Sequence, residues 1–387
     1  MEKRDQWLAE LEAGGACSKR DMELLARASQ VLEDNVIDMP NAPWGSCTGI
    51  RPSPGPYRGV WNWDSAFHAL TVSRWDYALA QQQFRIFFLC QGEDGLFPDV
   101  IFEDGKRMDN YSKPPVFPWA FVEVYRRHPD RSFLEEAYPY YVKNERFWRT
   151  KRFEDAEGLF HYDAVHVDND WLTHIKWESG MDDSPRWDKK IQELWPVDLN
   201  SYMVTFYDAM AFMASELQNG EAEGWKAKRE ALAEKINERL WDNTLQAYVD
   251  TDRYTGESTG VLTPASFAPL FARCADRDKA KRMAEIAADP AFFYPGMPTV
   301  SYNDPAFDPT LFWRGPTWLN MAYFAAKGLK NYGYDELAES FRQTILGWCD
   351  QDKRDIFEYY NPRTGEGLGA IHFGWSSCFI IEFILGW

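Results

Sequence analysis

The sequence predicts an all-α fold, an (α/α)6 barrel built from residues 1–387 as a single domain, and three observations lead there. Twelve segments carry apolar residues at helical spacing, and almost none shows the two-residue alternation of a strand. These segments alternate between apolar and charged members, and the long aromatic loops precede the apolar ones. A helix apolar around most of its surface is buried, whereas one with a charged face lies outside. Six inner helices ringed by six outer ones satisfy that alternation. An α-solenoid would repeat at a fixed period, which this chain does not.

Taken in order, Leu24, Leu25, Ala28, Val31 and Leu32 place an amphipathic outer helix over 20–36. A Pro/Gly-rich loop over 39–62 ends in Trp61-Asn62-Trp63-Asp64 and feeds an inner helix at 64–73. Asp76 is a cap for the outer helix at 76–91. Pro114-Pro115 introduce an inner helix at 115–128, and a charged one follows at 131–148. Segment 149–196 reads mostly as loop, with a strand-like piece at 158–162. Inner helices at 197–218, 264–275 and 316–331 then alternate with outer ones at 221–241, 278–288 and 334–350. Loop 351–373 leads to the last inner helix, 374–386. No repeat or linker marks a domain boundary.

The formal net charge of −18 argues against nucleic acid and anionic membrane as partners, since both need clustered Lys and Arg. No apolar run is long enough to span a bilayer, and residues 1–20 lack the apolar core of a secretory signal. The six cysteines are dispersed and form no zinc or redox motif. A cytoplasmic protein without metal or cofactor is the expectation. Aromatic residues make up 16% of the chain, a level that suits a carbohydrate cleft as well as a core.

In an alternating barrel the loops entering inner helices emerge at one end, so distant segments meet in one funnel. The densest of these loops is Trp177-Glu178-Ser179-Gly180-Met181-Asp182-Asp183-Ser184-Pro185-Arg186-Trp187. It sets three acids and an arginine between tryptophans, with Gly180 and Pro185 preventing a regular helix or strand. Tryptophan covers the apolar face of a sugar ring, and carboxylates bond its hydroxyls. Cleaving a glycosidic bond needs one carboxylic acid to protonate the leaving oxygen and a second carboxylate to activate water or attack. Asp182, beside tryptophans, is the candidate acid, and Glu358, between Phe357 and Tyr359, the candidate partner. A structural hydrogen bond from a strand or turn is an equal reading for Glu358. Glu178 and Asp183 are read as structural, bonding their own turn or Arg186. His68 is read as packed, and His372 as either pocket lining or core.

The motifs YRGVWNWDSAFHA, SKPPVFPWA, WESGMDDSPRW, VDLNSY, FWRGPTW and EYYNPRTGEGLGA with the following FGW, in this order from Tyr57 to Trp375, resemble the (α/α)6 clan of inverting α-glycosidases. The chain is similar to glycoside hydrolase family 63 and its mannosylglycerate and glucosylglycerate hydrolase relatives, with trehalases further off. The resemblance implies that Asp182 is the general acid and Glu358 the general base. It implies sugar contacts from Tyr57, Trp61, Trp63, Asp64 and Gly180, and from Phe312, Trp313 and Trp375; Lys113 and Trp177, in the same loops, are added as candidate substrate contacts on the sequence alone. Arg186 becomes a polar contact or an orienter of the acid. The chain departs from the family at Lys113, where relatives read Q-P-P, and at Ile175-Lys176, where they read H-P. Both lysines suggest a leaving group bearing a carboxylate, with solvent exposure as the plain alternative. The main expectation is an exo-acting α-glucosidase on a small glycoside, with its two carboxyls roughly 6.5–9.5 Å apart. The alternatives are a mannosylglycerate/glucosylglycerate-type hydrolase with an anionic aglycone, or a non-catalytic sugar-binding protein.

Overall fold

Hydrophobic burial sorts the helices into two shells. The computed structural model describes residues 2–15, 17–39, 45–163, 171–188 and 193–387. Parts of two expected loops, 40–44, 164–170 and 189–192, lie outside the described residues. The inner shell is α3 (Asn62–Val72), α5 (Phe117–Arg127), α8 (Val197–Leu217), α10 (Ala268–Phe271), α12 (Leu319–Asn331) and α14 (Gly374–Leu385). Each packs on the next, and α14 closes the ring on α3. Every residue of α3 is buried. Phe67 there meets Phe324 of α12 and Phe379 of α14 at ring separations of 5.9 and 4.9 Å.

The outer shell is α2 (Lys19–Asp34), α4 (Tyr77–Leu89), α6 (Arg131–Lys151), α9 (Ala222–Arg239), α11 (Arg277–Ala288) and α13 (Asp335–Gln351). Asp76 caps α4 as expected, accepting the Leu79 amide at 3.1 Å. The barrel and its alternation are those expected from sequence.

The differences are local. An additional helix, α1 (Glu2–Gly14), fully buries only Arg4 and lays Trp7, Leu8 and Leu11 half-buried against the core, too short an apolar face to be read from sequence. A second, α7 (Trp171–Ser179), lies in the segment expected to be loop, and the acidic motif begins inside its last turn. Gly180 does not prevent that helix; it ends it, with φ +72 and its amide bonded to the Trp177 carbonyl. Pro185 opens a short 3-10 turn, Pro185–Trp187. The inner helix expected over 264–275 is cut to a 3-10 turn, Pro264–Phe267, followed by the four-residue α10, because Pro264 and Pro269 restrict the backbone. Loop 351–373 contains a hairpin of strands Phe357–Tyr360 and Gly367–Ile371.

Candidate active site

Loops entering α3, α5, α12 and α14, with the turn after α7, enclose a cavity of about 80 Å3. Asp64, Asp182 and Glu358 all reach it, with Lys113 and Gly180. The aromatic wall contains Tyr57, Trp61, Trp63, Phe312, Trp313 and Trp375. Eleven of the thirteen positions expected from sequence therefore meet in one place.

Glu358 sits where the hairpin register shifts, between Phe357 and Tyr359, an irregularity of the kind that re-aims a side chain. Its Oε1 accepts the Tyr57 hydroxyl at 2.8 Å and its Oε2 the Ala370 amide at 2.9 Å. Burial raises its pKa, and those two donors pull it back toward the ionised form. Asp182 has a different environment. Among the described residues no hydrogen bond or ion pair holds its carboxyl, and burial pushes its pKa up to about 6 against the pull of Lys113. Asp64, in the first turn of α3, is pushed up to about 8 by burial, again opposed by Lys113. Gly180 makes the acid turn possible: a Cβ there would lie 2.6 Å from the Trp63 ring.

Lys113 is neither solvent-facing nor free. Its ammonium pairs with Asp99 at 3.4 Å and donates to the Trp177 carbonyl. Burial works against its charge, but Asp99, Asp182 and Asp64 outweigh that and hold its pKa above the ordinary value. One cation thus serves three carboxylates.

Two expected positions are elsewhere. Trp177 supplies Lys113 with its backbone carbonyl while its indole, 36% exposed, leans toward Tyr111 and His174 outside the cavity. Arg186 is fully buried beneath the turn, bonding Asp250 through Nε and Nη2, both at 2.7 Å, and Asp198 at 2.7 and 3.0 Å. With both carboxylates engaged, its guanidinium is committed to the scaffold. Glu178 is structural, but its partner is Arg152 rather than Arg186, together with the amides of Ser112 and Asp163. Asp183 accepts the Trp313 amide at 2.8 Å and joins the acid turn to the loop before α12. His68 is packed in α3, its pKa lowered to about 3 by burial. His372 bonds Asp34 and Asp355 away from the cavity.

Pro52, Trp318 and Phe373 also line the cavity and were not singled out from sequence. Trp318 stacks on Trp313 at 3.9 Å, and Phe373 packs edge-on against Trp375 at 5.2 Å. Trp318 and Phe373 lie within or beside the quoted motifs, which is the signal that could have found them.

The arrangement is a closed end of a helical barrel where two carboxyls in unlike environments face an aromatic pocket, the equipment of a glycosidase. Residues 57–376 match the model of the Mannosylglycerate hydrolase MGH1-like glycoside hydrolase domain. The chain belongs to that family and is a glycoside hydrolase. It is 26% identical to a mannosylglycerate hydrolase of Rubrobacter radiotolerans, over 94% of this chain and 97% of the relative. It is 23% identical to a glucosylglycerate hydrolase of Mycolicibacterium hassiacum, over 94% and 98%. The crystal structure of the family 63 mannosylglycerate hydrolase of Thermus thermophilus with Tris and D-glycerate aligns with a TM-score of 0.79 at 26% identity, over 92% of this chain and 99% of that one. No helix of the described residues is long and apolar enough to cross a membrane.

Proposed function

We propose that the protein hydrolyses, with inversion at the anomeric carbon, a small α-linked glycoside whose aglycone carries a carboxylate, of the glycerate type. The comparisons favour this reading over an α-glucosidase, because the similar proteins are named for glycerate glycosides of mannose and glucose and one solved relative holds D-glycerate.

Asp182 donates its proton to the glycosidic oxygen as the bond breaks. Glu358 takes a proton from a water that attacks the opposite face of the anomeric carbon. The carrying observation is the contrast between the two carboxyls. Tyr57 and Ala370 both donate to Glu358 and favour the carboxylate a base requires. Asp182 lacks such donors, and burial favours the protonated form an acid requires. Asp64 and the tryptophans hold the terminal sugar. Lys113 acts on the sugar end of the site rather than as receptor for the aglycone carboxylate, since its charge is already matched by buried acids.

Mannosylglycerate, glucosylglycerate and a panel of α-linked disaccharides, followed by NMR, test this directly. The expected result is faster turnover of a glycerate glycoside, with the β-anomer appearing first. Faster disaccharide turnover restores the α-glucosidase reading, and an α-anomer appearing first ends the inverting one. Asp182→Asn and Glu358→Gln should each lower kcat by about 10²–10⁴-fold or more while thermal unfolding stays near that of the parent.

A further inference from the structure

The inner helices run from the aromatic cavity to the other end of the barrel, and a larger void of about 700 Å3 lies there. Five cationic side chains and three carboxylates line it, in a chain whose formal net charge is −18. Helix C-termini gather at this end, and their unbonded carbonyls account for part of the positive charge. Arg127 donates to the Leu70 carbonyl, and Lys327 to that of Gly386 at 2.8 Å.

Capping does not exhaust these cations. Arg126 pairs with Glu123, and Arg229 with Asp208 at 3.2 Å. Glu382 is shared by Arg74 and Arg127, at 2.7 and 3.3 Å. Arg273 has the neutral Asn331 Oδ1 at 3.1 Å, and Lys327 its one carbonyl; among the described residues neither has a carboxylate within ion-pair distance. Burial and the neighbouring Lys330 hold the Lys327 pKa below its ordinary value, against the weaker pull of Glu123 and Glu382. An ammonium has three N–H groups and a guanidinium five, so donors remain for a ligand. Trp119, Phe271 and Tyr323 add an apolar wall.

We propose that this void binds a small multivalent oxyanion of the phosphate or pyrophosphate class, held by Lys327, Arg273 and the spare donors of Arg126 and Arg127. Such an anion would bridge α5, the turn that follows α10, and α12, and complete the charge balance of this end. The site is independent of the glycosidase reading.

Isothermal titration of sodium pyrophosphate into the full chain, at constant ionic strength made up with chloride, tests it. The expected result is saturable one-to-one binding at millimolar concentration or below, with a rise in Tm. Lys327→Gln combined with Arg273→Gln should weaken binding at least tenfold and leave glycoside turnover unchanged. Lys19→Gln, at an exposed position remote from the void, should bind like the parent. Should the double variant not fold, Arg126→Gln replaces it, with severalfold weaker binding expected. Absence of saturable heat in the parent, or equal affinity in a pocket variant, overturns the proposal.

Discussion

Asp182 and Glu358 are both held above ordinary carboxylate pKa values by burial, yet only Glu358 accepts hydrogen bonds that favour its charge. With a folded pKa of about 6, the Asp182 proton is lost as pH rises through 6, so kcat/KM should fall about tenfold per pH unit above that value. Lys113 favours the ionised form of Asp182, so its removal moves that limb upward. Lys113→Met should therefore shift the alkaline limb of kcat/KM to higher pH; an unmoved limb would show that Lys113 does not set the acid. At this scale the place of Asp182 and Glu358 in the cavity was legible in the sequence, because both stand in the quoted motifs. The sequence was not legible for Lys113, whose partner Asp99 lies earlier in the same connection between α4 and α5 and carries no motif of its own.

Short elements aim these side chains. Gly369 has φ +74, and a Cβ there would lie 2.6 Å from Glu358 Oε2. Gly333 has φ +86 with open space around it. Alanine at either should cost about 1–2 kcal/mol for the left-handed backbone. Only Gly369→Ala should also lower kcat, by displacing Glu358, and comparing Tm with kcat for the two separates strain from displacement. Beneath the acid turn, Arg186→Met leaves Asp198 and Asp250 buried without their cation, which should cost about 3–5 kcal/mol in urea unfolding. The sequence placed Arg186 in the right loop and gave it the wrong neighbour. Spacing within a loop does not reveal which distant acid, here Asp250, the fold brings beneath it.

At the scale of the molecule, ring closure through α14 and α3 sets Glu358 and Asp64 against the same pocket. Phe67 stands at that seam, packed on Phe324, Phe379 and Trp63. Phe67→Ala should cost about 3–5 kcal/mol and also reduce kcat, since the Trp63 wall loses its support. Denaturant unfolding read beside single-turnover kinetics checks both. Full turnover in a destabilised variant would show that the pocket does not depend on the seam.

The sequence by itself determined the two shells of helices, the end of the barrel where the loops meet and most of the pocket's members, among them Trp63, Asp182 and Glu358. These follow from hydrophobic periodicity and motif order, which are properties of continuous stretches of chain. The tertiary structure alone decided the partners of the charges: Lys113 with Asp99, Glu178 with Arg152, Arg186 with Asp198 and Asp250. A buried charge must find its counter-charge in three dimensions, and nothing local in the chain announces which segment will supply it.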